Sequence, residues 1–263
     1  MTDTAGSRVS HVVSRDNAVL KTVRRLSRDN TAYRKLGQAW LEGDHLCRAA
    51  CDQGVLPALA VFAESAWRGA APAWELGSAR VVVVPDHLFD EISALESPGR
   101  MGFVIDLPTA AGVLPHQASV VLDRVQDAGN VGSILRSAAA LGFGQVLAIK
   151  GSAALWSPKV LRSGMGAHFG LHLVEALEPA DLASLELPII ATSSHQGEPV
   201  HASALPWPCA WAFGHEGQGV GEAVARQARL WCRIGQPGGQ ESLNVAAAAA
   251  ICLHASAVGR PPG

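Results

Sequence analysis

Three polar, glycine-rich stretches contain the residues of this sequence whose types and spacing are suited to chemistry. They cover residues 123–136, 214–221 and 235–244, and their main polar members are Asn130, Arg136, Glu216, Ser242 and Asn244. Each stretch directly follows an apolar run typical of a buried strand. Ligands of an open parallel sheet bind beyond the carboxyl ends of its strands, so the three stretches face one another if their strands are neighbours.

Familiar catalytic motifs are absent from the sequence. The glycines of 214–221 follow the spacing G-x-x-G-x-G-x-G rather than G-x-G-x-x-G, and no acidic residue ends the next strand, 230–234. The sequence also lacks the P-loop motif, the G-x-S-x-G elbow and H-E-x-x-H. These observations argue against a dinucleotide site, nucleotide triphosphate hydrolysis, serine hydrolysis and zinc proteolysis by their commonest routes.

Regular alternation of apolar and polar segments from residue 118 onwards predicts the elements that position these stretches. Strands are predicted at 118–122, 145–149, 171–175, 188–193, 209–213 and 230–234, and helices at 132–141, 157–166, 180–186, 221–228 and 243–256. The continuous apolar strands predict an α/β fold with a mostly parallel sheet covered by helices. Ser242 or Asn244 is expected to cap the last helix. From that stretch alone, an ordinary loop before an alanine-rich core helix is an equally good interpretation.

The first 95 residues predict a separate small α/β domain, followed by a linker at 96–117 that includes a strand candidate at 101–107. An amphipathic helix is expected over 17–36, with strands near 39–43, 56–62 and 81–84 and helices near 45–53 and 87–95. Residues 1–40 contain eight basic and three acidic residues, a local balance of +5. This basic end is either an arm that contacts phosphates or a solvated helix face.

Composition sets broad limits on the protein. The 263 residues carry a net charge of −2 and are 48% hydrophobic, which is sufficient for a packed core. The longest apolar run, 245–253, is about half of the ~20 residues that span a bilayer, and the N-terminus lacks a signal pattern, so we expect a cytoplasmic protein. Five scattered cysteines argue against a disulfide framework. Cys47, Cys51 and His45 are favoured as core residues over a metal site, and no metal is expected.

Three motifs, in order along the chain, identify a resemblance to a known family. N-x-G-[SA]-I-x-R matches Asn130–Arg136, F-G-x-E-x-x-G matches Phe213–Gly219, and I-P-x-x-G-x-x-x-S-L-N-V matches residues 234–245. The chain thus resembles the SpoU/TrmH branch of the SPOUT superfamily, the RNA 2′-O-ribose methyltransferases. Residues 157–167 resemble the family's segment between the first two motifs, and Ser14–Asn17 and Leu41–Gly43 resemble its small RNA-binding domain. Gly235 departs from the family's usual proline.

The resemblance implies a fold, an assembly and a cofactor. The sheet would end in a deep trefoil knot, and close backbone approach in that knot would explain Gly238, Gly239 and the alanine run. The protein would be a homodimer with its active site at the subunit interface. The cofactor would be S-adenosylmethionine, contacted by main-chain groups of Gly214, Ile234 and Leu243.

The resemblance also implies roles for the polar residues. Arg136 is the first candidate for the catalytic residue, primarily as a clamp on phosphate and ribose because arginine stays protonated. Asn130 and Ser242 would orient ribose or cofactor, Glu216 would hold the loop or Arg136, and Asn244 would stabilise the loop or cap the helix. The substrate would be RNA rather than DNA, with ribosomal RNA preferred because of the extra N-terminal domain. The alternatives are transfer RNA as substrate, or a non-catalytic RNA-binding protein on the same fold.

Overall fold

The computed structural model describes residues 9–70, 74, 76, 79–109, 112–238 and 242–259. Two compact units are present, one formed by residues 1–108 with 156–158 and the other by 109–155 with 159–263. Each unit has its own sheet.

The first unit is built on a five-stranded sheet. Its strands are β1 (Val9–His11), β2 (Gln38–Glu42), β3 (Leu59–Ala63), β4 (Arg80–Val84) and β5 (Met101–Asp106), in the spatial order β1-β4-β3-β5-β2. Its described helices are α1 (Ala18–Arg28), α2 (Ala32–Leu36), α3 (Asp44–Asp52), α4 (Glu64–Ala70) and α5 (Asp86–Ile92). Strand β1 and helix α4 were not predicted from the sequence.

The amphipathic helix expected over 17–36 is in fact two helices. The Asn17 side chain caps the first by accepting a hydrogen bond from the Val19 backbone N–H at 2.9 Å. After Arg28, the Asp29 carboxylate accepts hydrogen bonds from both the backbone N–H and the hydroxyl of Thr31, at 2.8 and 2.9 Å. Such local side-chain bonds compete with helical ones, so the helix stops and α2 begins after Thr31.

Strand β5 lies inside the segment predicted as a linker. It pairs antiparallel with both β2 and β3, and its residues Met101–Ile105 are buried. At Gly102 an added Cβ would lie 2.3 Å from the Trp40 ring, so glycine is required for this close packing. The first unit therefore extends to Pro108, and the boundary placed at residue 95 was too early.

The second unit contains a seven-stranded sheet in which every pairing is parallel. Its strands are β6 (Ser119–Asp123), β7 (Gln145–Ile149), β8 (His172–Leu177), β9 (Ile189–Thr192), β10 (Glu198–Pro199), β11 (Ala210–Gly214) and β12 (Ala228–Arg233), in the order β10-β12-β9-β11-β6-β7-β8. The predicted α/β fold with a mostly parallel sheet is confirmed.

The helices of this unit follow the predicted positions. They are α6 (Ala128–Ala140), α7 (Pro158–Gly164), α8 (Glu222–Ala225) and α9 (Val245–Val258), with 3-10 turns at 167–170, 179–185 and 200–202. The helix expected at 180–186 is thus one of the 3-10 segments. Among the described helices, none combines the length and apolar character needed to cross a membrane.

Of the two cysteines on α3, Cys47 belongs to the core and Cys51 is only partly buried. Cys47 is buried and its thiol donates to the Leu41 carbonyl oxygen at 3.5 Å. Burial is the main reason that the pKa of Cys47 lies well above its ordinary value. Within the described ranges, no group of three His, Cys, Asp or Glu side chains is arranged to hold a metal ion.

Candidate functional site

Strand order brings the three polar stretches to one edge of the second sheet. Strands β6 and β11 are direct neighbours, and β12 is separated from β11 only by β9. All four run parallel, so the segments that follow them emerge at the same edge. The expectation that the stretches face one another is met because of this order.

A cavity of about 330 Å³ lies among these segments. Its lining includes the three residues expected to contact a cofactor, Gly214, Ile234 and Leu243, and three of the expected catalytic residues, Glu216, Ser242 and Asn244. Asn130 and Arg136 are not part of the lining.

Several lining residues were missed by the sequence analysis. Thr192, Ser193 and Ser194 lie at the end of β9 and contribute hydroxyl groups to the wall, while Cys232 and Gln236 come from the end of β12 and the loop behind it. Binding beyond the carboxyl ends of parallel strands is the rule that identified the other loops. The same rule applies to β9 and would have found its polar end.

Asn130 connects the three stretches through its side-chain amide. Its Nδ2 donates to Glu216 Oε1 at 3.2 Å, and its Oδ1 accepts from Asn244 Nδ2 at 2.9 Å. The Glu216 carboxylate also accepts from the backbone N–H groups of Asp127 and Gln126, at 3.2 and 3.4 Å. Residues more than 80 positions apart in sequence therefore form one hydrogen-bonded network beside the cavity.

Helix caps fix both ends of this network. Asn244 Oδ1 accepts from the backbone N–H groups of Ala246 and Ala247, at 2.9 and 3.3 Å, which makes Asn244 and not Ser242 the cap of α9. Asp127 caps α6 by accepting from the Asn130 backbone N–H at 2.7 Å. Capping holds the Asn130 and Asn244 side chains at defined positions relative to two packed helices.

The environment of Glu216 favours its charged form. Partial burial by itself raises the pKa of this carboxyl, but hydrogen bonds from its own backbone, Asn130, Asp127 and Gln126 oppose that effect. The net result is a pKa below the ordinary value of 4.5, because hydrogen-bond donors stabilise a carboxylate. Glu216 is therefore an acceptor that holds the loops together at neutral pH.

Close backbone approach, expected at Gly238 and Gly239 of the third motif and along the alanine run, is seen at Gly214 of the second motif and not at Gly238. A Cβ added at Gly214 would lie 2.0 Å from the Gly219 carbonyl carbon, so only glycine fits. At Gly238 and Gly235 no described atom lies within 4 Å of such a Cβ, and close approach does not explain Gly238. Gly239, Gln240 and Glu241, also part of the third motif, lie outside the described residues.

Arg136 occupies a different position from the other predicted residues. It is exposed on α6, six residues beyond Asn130, which corresponds to about 9 Å along a helix axis. Since it does not line the cavity, the structure does not bring it together with Glu216, Ser242 and Asn244. His215, regarded as incidental in the sequence, does line the cavity, and its Nδ1 accepts from the Gly217 backbone N–H at 3.0 Å.

The cavity lining also includes two buried cysteines and a buried acceptor atom that has no partner. Cys232 and Cys252 are buried there, and burial, with a smaller contribution from Cys232, raises the pKa of Cys252 to about 12. Gln236 Oε1 is also buried and has no hydrogen-bond partner among the described residues. A buried acceptor of this kind is costly unless a ligand or water donates to it.

Comparison with known proteins defines the family. The model of the SpoU rRNA Methylase family matches residues 117–254, which contain the whole cavity. The chain therefore belongs to the SpoU methylase family, and the resemblance seen in its motifs is confirmed.

Individual relatives agree with this assignment. Over 175 residues the chain is 29% identical to the 23S rRNA (guanosine(2553)-2′-O)-methyltransferase RlmP of Bacillus subtilis, covering 65% of this chain and 70% of that protein. It is 32% identical over 167 residues to human mitochondrial rRNA methyltransferase 3, covering 60% of this chain but only 40% of the human protein. The crystal structure of an AdoMet-bound rRNA methyltransferase from Sinorhizobium meliloti shares the fold, with a TM-score of 0.82, 23% identity and coverage of 95% and 98% of the two chains.

Proposed function

We propose that this protein transfers a methyl group from S-adenosylmethionine to a ribose 2′-hydroxyl of ribosomal RNA. The observation that carries the proposal is the hydrogen-bonded network in which Asn130, Glu216 and Asn244 join three family motifs around one cavity. Membership of the SpoU methylase family and the similarity to RlmP, whose name specifies ribose 2′-O methylation of 23S rRNA, support this reaction.

The cavity has the chemistry that S-adenosylmethionine requires. Backbone groups of Gly214, Ile234 and Leu243 can pair with an adenine edge, and the buried Gln236 oxygen offers an acceptor for an amino or hydroxyl group. The part of the lining that contains the buried Cys252 suits the uncharged part of the molecule. The AdoMet-bound Sinorhizobium meliloti protein of the same fold supports the assignment.

When bound, S-adenosylmethionine supplies a methyl group already activated by its sulfonium. The protein then has to place the 2′-oxygen in line with that group, and orientation of this kind lowers barriers by up to roughly 7–11 kcal/mol in favourable cases. We assign Ser242 and Asn130 to orienting the ribose or the cofactor. Glu216 and Asn244 hold the loops in fixed positions relative to one another.

Arg136 is assigned to the clamp on the RNA phosphate and ribose. A guanidinium presents a planar set of N–H donors that can form paired hydrogen bonds with phosphate oxygens. The exposure of Arg136 on α6 leaves it available to the RNA, or to the active site of a second subunit. A base role would need help from a neighbouring substrate phosphate.

We also propose that the protein is a homodimer and that its C-terminal part forms a knot. Helix α9 leaves two apolar side chains exposed, Ile251 and Val258, at 41% and 69%, and Leu243, which precedes the helix, is 41% exposed. The spacing of seven residues places Ile251 and Val258 on one helix face, as expected for a surface that a second copy covers. Substituting Ile251→Glu should convert the dimer to monomer in analytical ultracentrifugation, and an unchanged dimer would remove α9 from the interface.

The first unit is proposed to bind RNA, but through fewer basic residues than the charge pattern indicated. Arg24 pairs with the Glu91 carboxylate at 3.4 Å, and Arg28 donates to the Glu91 carbonyl oxygen at 2.8 Å, so both hold α1 against α5. Lys21 and Arg25 are on the same helix; Lys21 is exposed and forms a surface ion pair with Asp16 at 3.2 Å, and Arg25 faces away from the buried side of the helix. Changing these two to Glu should weaken RNA binding and flatten its salt dependence, whereas equal affinity would exclude α1 from the RNA contact.

Ribosomal RNA is preferred to transfer RNA because the names of the relatives above specify ribosomal RNA. We propose a cytoplasmic location in line with the bacterial relative, although the human relative is mitochondrial. A non-catalytic RNA-binding protein is the remaining alternative, and the intact network at Asn130, Glu216 and Asn244 speaks against it.

The decisive experiment is methyl transfer from labelled S-adenosylmethionine to total RNA of a strain that lacks this protein. Wild type is compared with Arg136→Ala and with Arg226→Ala, a control arginine paired on the surface with Glu222. Label in one ribosomal RNA, lost only with Arg136→Ala, supports the proposal. Label in transfer RNA would change the substrate class, and absence of both label and cofactor binding would favour the non-catalytic alternative.

A further inference from the structure

The end of strand β6 holds a buried carboxylate whose partners include the second motif's loop. Asp123 is 2% exposed, and its Oδ2 accepts from the Gly221 backbone N–H at 2.5 Å. Its Oδ1 accepts from Arg124 Nε at 3.1 Å. A buried carboxylate is costly unless it is paired and hydrogen-bonded, so these contacts constrain the position of Gly221.

Arg124 extends this contact to a second point of the same loop. Its Nη1 donates to Gln218 Oε1 at 3.1 Å, while its backbone N–H donates to Ser152 Oγ at 2.9 Å. Arg124 has φ +62°, in the left-handed region that non-glycine residues seldom adopt. The backbone hydrogen bond to Ser152 and the side-chain hydrogen bonds to Asp123 and Gln218 maintain this conformation.

Packing around the pair is tight. A Cβ added at Gly221 would lie 2.7 Å from Arg124 Nη2 and 3.0 Å from Asp123 Oδ2. The absence of a side chain at Gly221 therefore lets the backbone N–H reach the carboxylate.

Hydrogen bonds thus hold loop 214–221 at two points. Glu216 binds it to the start of α6, and the Asp123–Arg124 pair binds its far end to β6. The loop contributes Gly214, His215 and Gly219 to the cavity wall, and Gly219 lies between these two points.

We propose that Asp123 and Arg124 are positioning residues for cofactor binding, because they hold loop 214–221 in the shape that forms one wall of the cavity. The proposal rests on the function proposed above. Neither residue lines the cavity, so both act through the loop. If the loop adopts its binding shape for only a fraction of the time, the apparent cofactor affinity falls to that fraction of its full value.

The test uses Arg124→Asn, because asparagine tolerates the left-handed backbone and removes the guanidinium. The matched control is Arg226→Asn, an arginine that also pairs with a carboxylate but lies beyond the loop. Gln218→Ala removes only the hydrogen-bond partner of Arg124, and it provides the test if Arg124→Asn does not fold. Calorimetry measures S-adenosylmethionine affinity, and a filter assay measures RNA affinity.

Arg124→Asn should raise the dissociation constant for S-adenosylmethionine about tenfold and Gln218→Ala about threefold, with Arg226→Asn unchanged. RNA affinity should stay at the wild-type value, a separation that general destabilisation would not produce. An unchanged cofactor affinity in a folded Arg124→Asn protein would overturn the proposal, as would equal losses of cofactor and RNA affinity.

A second readout does not depend on the cofactor. Hydrogen exchange of residues 217–221 in the free protein should accelerate in Arg124→Asn and Gln218→Ala, while exchange in the rest of the second sheet stays slow. Wild-type protein that binds no S-adenosylmethionine would contradict the proposed function, and the exchange measurement would still decide whether the pair holds the loop. Unchanged exchange in both variants would refute the positioning role.

Discussion

Replacing Asn130 with aspartate tests whether its amide holds the network together by donating to Glu216. The change is nearly isosteric: one oxygen still accepts from Asn244, while the Nδ2 donor 3.2 Å from Glu216 Oε1 becomes a second acidic oxygen. One hydrogen bond is lost and two carboxylates are brought into contact.

The magnitude follows from the exposure of the pair. Asn130 and Glu216 are solvent-accessible, so the lost hydrogen bond is worth about 1 kcal/mol. Two unit charges at this separation repel by about 1 kcal/mol in a water-like medium. The sum, about 2 kcal/mol, corresponds to roughly a thirtyfold loss of S-adenosylmethionine affinity at neutral pH.

Acid should restore part of that affinity. Like charges in contact raise the pKa of a carboxyl group, so one member of the pair binds a proton at a higher pH than Glu216 does in the wild type. The protonated carboxyl then donates a hydrogen bond, as the amide did. Affinity in Asn130→Asp should therefore rise as the pH is lowered from about 8 to about 5, in the range where the raised pKa is expected.

Calorimetric titration with S-adenosylmethionine across this range provides the measurement, and Asn130→Ala is the control. The alanine variant loses both hydrogen bonds without repulsion, so at about 1 kcal/mol for each bond its loss should also be about thirtyfold, but independent of pH. Identical pH profiles for the two variants would refute the argument that the Asn130 amide bridges Glu216.

Three further predictions concern the cap, the carboxylate and the glycines. Asn244→Ala should lower the free energy of unfolding by about 1 kcal/mol through loss of the α9 cap, whereas Asn244→Asp should keep the cap but lose the donor to Asn130. Thermal melting should therefore distinguish the two variants, while methyl transfer should be reduced in both. The pKa of Glu216 is lowered in the folded state, so its contribution to stability is present above the ordinary value of 4.5 and is lost as the pH falls through the lower folded value. Glu216→Gln should therefore flatten this part of the acid-unfolding curve. An unaltered curve would argue against the hydrogen bonds that lower the pKa. Gly214→Ala should abolish cofactor binding because the added Cβ would lie 2.0 Å from backbone atoms. Gly235→Ala should bind the cofactor normally, because no described atom lies within 4 Å of its Cβ. Equal cofactor affinities of the two variants in calorimetry would contradict the steric argument.

Much of the second unit could be predicted from local sequence signals. Continuous apolar runs such as Ser119–Leu122 are typical of strands buried on both faces, and the observed strands lie where these runs occur. The amide at Asn244 directly before the alanine run predicted a cap, and the cap exists. These features depend on neighbours within a few residues, which the sequence contains explicitly.

Predictions that depended on distant partners were less successful. The strand candidate at 101–107 is β5, but it was assigned to a linker because its pairing partners, β2 and β3, come much earlier in the chain. One error was local instead: helix α1 ends early because the Asp29 side chain competes with the helix by accepting hydrogen bonds from Thr31. Gly238 was explained by close approach, which the structure places at Gly214.

By itself, the sequence determined the family, the parallel sheet and the identity of the polar residues, because motifs and apolar periodicity are properties of residue type and spacing. Only the tertiary structure decided which of those residues meet. Strand order brings Glu216 and Asn244 to Asn130 across 86 and 114 positions, leaves Arg136 outside the cavity, and fastens loop 214–221 to Asp123. The physical reason is that hydrogen bonds act over about 3 Å, and chain separation does not specify distances at that scale.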